Sequence, residues 1–386
     1  MYQGESEMDA SRFLDWLHFS LESGASTDRR SILRFSSSGE YRQFLLAWRA
    51  KKKRASMPKG VRNLGFIRGI SCPLNPEAIP RSWTNIIRCE QDARVRIHAL
   101  SRGSSVLSDG IPWGVRHIRA PQAWSKSTGL GVRIGVIDTG VDYHHPDLRQ
   151  SIERGINLIY RTVPPYDDNG HGTHIAGTIA AANRLHGMIG VAPRASIHPV
   201  KAFDSNGTAY VSDIILGIDW CVRNHMHLVN MSFGMQDRSS ALLQAVMNAS
   251  QSGVAVIASS GNDGRSSGID YPARYDHTIA VGATNKQGRV AAFTNRSSAI
   301  DIYAPGDKIV SAWLGGKYRE MSGTSMATSH VTGAIALLLA HKPNLTVAQM
   351  KEIVKRSPLP KKNAKAPRTT GELDVLRMLR IADKMN

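Results

Sequence analysis

Residues 131–137, Gly-Val-Arg-Ile-Gly-Val-Ile, are an apolar, β-branched run of strand length, and Asp138 stands where that strand must end. Thr139-Gly140 then turns the chain. The carboxyl ends of parallel strands are where α/β proteins place their chemistry. Alone, Asp138 reads as a turn or helix-capping residue. Two later segments change that reading: His171-Gly172-Thr173-His174, and Gly323-Thr324-Ser325-Met326-Ala327. They set an Asp, a His and a Ser in that order, each among small residues.

A serine hydroxyl is a poor nucleophile at neutral pH. It needs an imidazole to take its proton, and the imidazole needs a carboxylate to fix its tautomer and steady its charged form. His171 precedes a small-residue helical run, Ile175 to Ala181, and its flanking glycines admit a close ligand backbone. It is assigned the general-base role. His174, one turn on, reads as a packed helix residue, because no HExxH pattern or third metal ligand accompanies it. Ser325 opens a helix extending through Val331–Ala340, where free N–H groups and the helix dipole favour developing negative charge. Its own N–H is one oxyanion donor. A second comes from Asn262, which follows the strand-like Val254–Ala258 in Ser259-Ser260-Gly261-Asn262-Asp263-Gly264.

These motifs resemble the subtilisin-like serine proteases, whose chain order is also Asp, His, Ser. The resemblance covers roughly residues 108 to 380 and extends to Trp113-Gly114-Val115, His145-Pro146-Asp147-Leu148, Gly190-Val191-Ala192-Pro193, Tyr271-Pro272 and Ala304-Pro305-Gly306. It implies an α/β fold, a doubly wound, mostly parallel sheet with helices on both faces, and peptide-bond hydrolysis through an acyl-enzyme. It assigns Ser232, Phe233 and Gly234 to a strand that pairs with substrate backbone, and places Ser260, Gly261 and Asp270 in substrate binding. No cofactor is required for the chemistry. The substrates implied are polypeptides.

The chain departs from the family pattern in places. Thr328-Ser329-His330 stands where the family reads Ser-Pro-His, which is expected to alter rate without abolishing chemistry. Arg184 replaces an Asn of the usual calcium loop, while Asp109 and Asp147 remain at matching ligand positions, so a structural calcium has incomplete oxygen ligation. Asp270 falls at the base of the family's primary specificity pocket. A buried carboxylate there would favour Lys or Arg in the substrate; the other reading is a turn Asp facing solvent.

The expected organisation is an N-terminal extension (1–30), a small α+β propeptide-like domain (31–107) and a catalytic domain (108–386). Ser31–Phe35 reads as a strand, Glu40–Arg54 as an amphipathic helix carrying Tyr41, Phe44, Leu45 and Trp48, and Val61–Ser71 and Asn85–Ile97 as further strands. Phe13, Trp16, Leu17 and Leu21 mark a short helix in the extension. Ile86 to Leu100 resembles the end of the family's inhibitory propeptide, which implies an intramolecular inhibitor removed by self-processing. Cleavage is expected after Leu100, with Arg102 and Leu107 as alternatives.

The net charge of +18 admits nucleic acid, anionic membrane or acidic protein as partners. The basic clusters lack the interleaved aromatics of a single-strand binder, so no specific nucleic acid is expected. Three cysteines, Cys72, Cys89 and Cys221, have no metal spacing and argue against a disulfide framework. No segment approaches transmembrane length. The first 27 residues are too polar for a signal peptide, which favours an intracellular site, with secretion as the alternative that the resemblance implies. The rival functional reading is a subtilisin-like protein that regulates or binds without turnover.

Overall fold

The computed structural model describes residues 9–22, 29–52, 60–104, 110–182, 187–358 and 371–385. The chain forms two compact units. One comprises Met1–Arg94, Tyr210–Leu216 and Ser239–Asn248; the other comprises Val95–Ala209, Gly217–Arg238 and Ala249–Asn386. The smaller unit does not run on to residue 107, as the expected domain did. Val95–Ser104 count with the larger unit because they lie in it as strands.

The larger unit is built on a seven-stranded sheet. Its order is Ile302–Pro305, Thr278–Thr284, Ala255–Ser259, Leu228–Met231, Arg133–Asp138, Ser196–Lys201, Ile156–Asn157. Every neighbouring pair is parallel. Strands buried on both faces need apolar or small residues throughout, and Leu228–Met231, Ala255–Ser259 and Thr278–Thr284 are buried at every position. In Arg133–Asp138 the strand period of two sends alternate residues to opposite faces. Ile134 and Val136 join a core with Ile175, Ile179, Val331 and Ile335, from the helices His171–Ala180 and Thr324–His341. On the other face, a Cβ at Gly135 would stand 2.4 Å from Cys221 Sγ, so the helix Val211–Arg223 can press on the strand only because that residue is glycine. The fold is thus a doubly wound parallel α/β sheet.

After Arg133–Asp138 the chain adds Ile156–Asn157 at one edge and Ser196–Lys201 inside it, then builds outward in the other direction from Leu228–Met231. The crevice at such a reversal, beyond the carboxyl ends of the strands, is where open α/β sheets bind ligands. Asp138 and Ser259 end their strands there, and Ser232 follows Met231. A second, antiparallel sheet joins Ile309–Trp313, Lys317–Ser322 and Leu100–Ser104.

The smaller unit contains a four-stranded antiparallel sheet, Arg62–Leu64, Gly69–Cys72, Ser31–Phe35, Ile87–Gln91. The expected helix runs Ser38–Lys52, with Phe44 fully buried and Tyr41, Leu45 and Trp48 packed around it. The residues expected to form a separate extension are part of this core. Helix Ala10–Glu22 contributes Phe13, Leu14 and Leu17, and the Phe13 ring meets Trp83 edge-on at 5.1 Å. Two carboxylates cap helix starts within this unit. Glu90 accepts from the amides of Ser240 and Ala241, each at 3.1 Å. Asp92 accepts from Ser212 N at 2.9 Å and Ser212 Oγ at 2.7 Å. Negative charge at a helix N-terminus is favourable through the orphan N–H groups and the dipole. The three cysteines are free thiols.

Candidate active site

Asp138 and His171 come together as a fully buried pair, with His171 Nδ1 2.7 Å from Asp138 Oδ1. A carboxylate accepts, so Nδ1 carries the proton and Nε2 presents its lone pair. Nε2 is buried and has no hydrogen-bond partner among the described residues. An imidazole held in that tautomer can take a proton. His171 is the first residue of its helix, and the turn before it is made by Gly170 at φ 103°, a conformation that glycine adopts without steric cost.

Asp167 holds this corner together, and the motif reading missed it. Its Oδ1 accepts from Thr139 Oγ1 at 2.8 Å, Asn169 N at 3.0 Å and Gly170 N at 2.8 Å. Its Oδ2 accepts from Thr173 N at 2.9 Å and Thr173 Oγ1 at 2.6 Å. One carboxylate thereby fastens the turn after Asp138 to the first turn of the His171 helix. The only sequence signal was an acidic pair, Asp167-Asp168, just before Asn-Gly-His.

Ser325 is the second residue of helix Thr324–His341. Its Oγ donates to Ser232 O at 2.8 Å. Asn262 is oriented without ambiguity: Oδ1 accepts from Thr324 N and Thr324 Oγ1, each at 2.9 Å, so Nδ2 is the atom left over. That Nδ2 is buried with no partner among the described residues. A Cβ on Gly323 would stand 3.0 Å from it and 2.4 Å from His98 O, so only glycine leaves room for a carbonyl at this place.

That carbonyl belongs to the chain itself. His98 O faces Ser325 N at 3.4 Å, and His98 N donates to Ser232 O at 3.1 Å. Ile97 and Arg96 pair antiparallel with Phe233 and Gly234, and Ile97 N donates to Gly207 O at 3.2 Å. Ser232, Phe233 and Gly234 therefore contact an extended backbone. Asp270 is 5% exposed, not a solvent-facing turn residue, and its Oδ2 lies 3.0 Å from His98 Nε2. Burial pushes its carboxyl up, but the hydrogen bonds and charges of His98 and Arg265 outweigh this and hold it below the usual carboxylate range. Ser260 O accepts from Asp270 N at 3.0 Å, and Gly261 N donates toward Thr324 Oγ1 at 3.2 Å.

Leu100 is not the residue at Ser325. It lies two residues further on, 44% exposed, with its backbone paired to Ser322. The register of the strand on Phe233–Gly234, rather than apolarity, decides which carbonyl reaches Ser325.

Of the two possible calcium ligands, Asp147 alone is among the described residues. Asp147 Oδ2 is engaged by Met188 N at 2.8 Å and Tyr318 Oη at 2.6 Å. No group of three or more His, Cys, Asp or Glu among the described residues is placed to hold a metal. Asp109 and Arg184 lie outside the described residues, as do the alternative cleavage residue Leu107 and Lys361 to Lys365.

Two further histidines are buried beside these helices. His174 Nε2 stands 3.1 Å from both Ile309 O and Arg319 O, and His330 Nδ1 donates to Met326 O at 2.8 Å. Burial pushes His174 down to about 3 and His330 to about 4.

The subtilase family model matches residues 129–373. Subtilisin E of Bacillus subtilis is 39% identical over 313 residues, covering 78% of this chain and 79% of its own length. The subtilisin of Bacillus pumilus is 44% identical over 250 residues, 64% of this chain and 90% of its own. A thermostable alkaline protease of Halalkalibacterium halodurans is 40% identical over 263 residues, 68% of this chain and 72% of its own. The chain belongs to the subtilase family of serine proteases.

Replacing Asp167 by Asn sets an amide NH2 against donors that need an acceptor. Asp167→Asn is expected to cost about 2–4 kcal/mol of stability in urea unfolding. It is expected to slow peptide turnover by roughly 10- to 100-fold, because the Asp138 turn and His171 lose their common anchor. Unchanged turnover would remove Asp167 from the positioning of the site.

His174 and His330 have folded values below the ordinary 6.5, so their contribution to stability is complete above pH 6.5. It is lost as pH falls from there toward 4 and then 3, because only the unfolded chain takes up the protons. Each is expected to contribute a slope of about 1.4 kcal/mol per pH unit between pH 6 and 5. In a Ser325→Ala chain, His330→Gln should reduce that slope by about this amount, as read from urea midpoints. An unchanged slope would mean that His330 is protonated in the folded chain.

Proposed function

We propose that this chain is a serine endopeptidase made as a self-processing precursor, acting on polypeptides through an acyl-enzyme on Ser325. The observation that carries the reading is the backbone of Ile97–His98. It lies as a strand on Phe233–Gly234, with a carbonyl against the Ser325 amide and, beside the same opening, a buried Asn262 Nδ2 that has no partner among the described residues.

In this reading Ser325 Oγ leaves Ser232 O and attacks the substrate carbonyl carbon, and its proton passes to His171 Nε2. Asp138 keeps the imidazole in the right tautomer and steadies the imidazolium. The Ser325 amide and Asn262 Nδ2 hold the oxyanion. His171 gives its proton to the departing amine. Water then attacks the acyl-enzyme, its proton going to His171 and on to Ser325 Oγ as the carboxylic acid leaves. Nothing in this cycle calls on a cofactor. The segment before the self-cleaved bond serves as the removable propeptide and intramolecular inhibitor, and the remainder of the chain as the catalytic domain.

The departure at Ser329 lends no support to a non-catalytic regulator. Helix Thr324–His341 is unbroken there, and Ser329 Oγ bonds to Met326 O at 2.8 Å.

Purified wild-type chain is expected to lose its N-terminal segment, followed by intact mass over time, while Ser325→Ala stays whole. A fluorophosphonate should label wild type at Ser325. Asn262→Ala should retain labelling but lower kcat roughly 10²–10³-fold, a magnitude carried over from the equivalent loss in subtilisin itself. Absent labelling of a folded chain, or equal cleavage of Ser325→Ala, would overturn the reading.

A further inference from the structure

We propose that the side-chain pocket beside Ser325 is built for an imidazole, so that the chain cuts its own His98–Ala99 bond and afterwards prefers polypeptides with histidine before the cleaved bond. This rests on the endopeptidase reading above and names its substrate class.

The His98 ring is held at both nitrogens. Nε2 meets Asp270 Oδ2 at 3.0 Å, and Nδ1 meets Ser259 Oγ at 2.8 Å. The side chain is 9% exposed. A neutral ring with its proton on Nε2 donates to Asp270 and accepts from Ser259; an imidazolium donates to both. The hydroxyl can rotate to suit, so the two partners satisfy either form. The wall is closed around the ring, since a Cβ on Gly234 would stand 2.4 Å from His98 Cε1 and 2.8 Å from Asp270 Cβ.

The same contacts disfavour other side chains. Leu or Phe would bury Asp270 Oδ2 and Ser259 Oγ without partners, and a site built to hydrogen-bond its ligand strongly rejects an analogue that cannot. Arg reaches further from its Cα than the ring does, yet Asp270 Oδ2 stands only 3.0 Å beyond Nε2 of that ring. Its two-pronged grip is also unavailable, because Arg265 already occupies Asp270 Oδ1 and brings a like charge. Lys would have to fold a long flexible stem into the length of an imidazole. The preference for Lys or Arg expected from Asp270 alone is thereby redirected by Arg265 and Ser259.

The covalent step follows from the register. Ser325 Oγ bonds to the His98 carbonyl carbon, the His98–Ala99 C–N bond breaks, and the proton taken by His171 goes to the Ala99 amine. Water then releases the His98 carboxyl group. Val95, fully buried, and Ile97, half-buried, continue the strand on the acyl side, while Arg96 points to solvent.

The experiment uses the full chain. After self-processing, the new N-terminus is sequenced, and the processed enzyme is given acetyl-Ala-Val-Arg-Ile-X-Ala-Leu-Ser-amide peptides with X as His, Lys, Arg, Leu or Phe. Expected are Ala99 as the new N-terminus and a kcat/KM for His at least 10-fold above Lys and Arg and 100-fold above Leu and Phe. In Ser259→Ala the His advantage over Leu should shrink at least 10-fold. A new N-terminus at Ser101, Gly103 or Ser108, or a peptide with Lys, Arg, Leu or Phe cut as well as the His peptide, overturns the proposal while leaving an active protease. A chain that stays whole yet reacts with a fluorophosphonate at Ser325 also overturns it. Failure of Ser325 to react at all overturns instead the endopeptidase reading beneath it.

Discussion

The carboxylate of Asp167 is the fixed point of the site. Five donors converge on its two oxygens, from Thr139, Asn169, Gly170 and Thr173. Burying an ion is costly unless its lone pairs are satisfied, and here protein hydrogen bonds take the place of water. The result is mechanical as well as energetic. Asp138 ends a strand and His171 starts a helix, and two such elements have no reason to keep a 2.7 Å contact unless something ties their ends. Lys201 closes the other side, with Nζ 2.6 Å from Thr139 O and 2.7 Å from Asp168 Oδ1. The Asp138–His171 pair is thus oriented by groups that touch neither of its ring nitrogens.

The second constraint is backbone register. The chain's own residues 96–98 lie as a strand on Ser232, Phe233, Gly234 and Gly207, and strand pairing has a period of two. Once Ile97 stands opposite Phe233, His98 must present its carbonyl to Ser325 and its ring to Ser259 and Asp270. Side-chain preference is therefore subordinate to main-chain alignment. An apolar residue two places along, such as Leu100, has no access to the pocket, however well it would fill one.

This explains what the sequence revealed and what it concealed. Asp138, His171, Ser325 and Asn262 stand in short local motifs because each needs a particular backbone setting: a strand end, a helix start after a positive-φ glycine, or a turn after a strand. Local geometry leaves local signals. The seven-stranded sheet was legible for the same reason, through glycine-bounded apolar runs such as 131–137. Asp270 was readable only as pocket or solvent, since its partners His98 and Arg265 are brought to it by the fold. Asp167 was missed because its network closes in space. The N-terminal helix was read as an extension because its apolar face gives no hint that Phe35, Phe44 and Trp83 wait for it.

The helix that carries Ser325 gives the remaining part of the argument. Every residue from Thr324 to Leu339 is buried, so its polar side chains must find partners without water. They turn back on the helix itself. Thr328 Oγ1 donates to Thr324 O at 2.8 Å, Thr332 Oγ1 to Thr328 O at 2.9 Å, and Ser329 and His330 both to Met326 O at 2.8 Å. Such back-bonding satisfies these groups within the helix, while Thr324 Oγ1, Ser325 Oγ and Thr332 Oγ1 donate outside it, to Asn262 Oδ1, Ser232 O and Asn230 Oδ1. Ser329, in the place where the resembling family carries proline, belongs to this set, so the first turn is held by side-chain bonds of its own rather than by a ring that fixes φ. Ser325 thus sits near the start of a helix that is buried through Leu339 and held by these bonds. Asn262 Nδ2 and His171 Nε2 belong to the buried polar atoms left without a hydrogen-bond partner among the described residues.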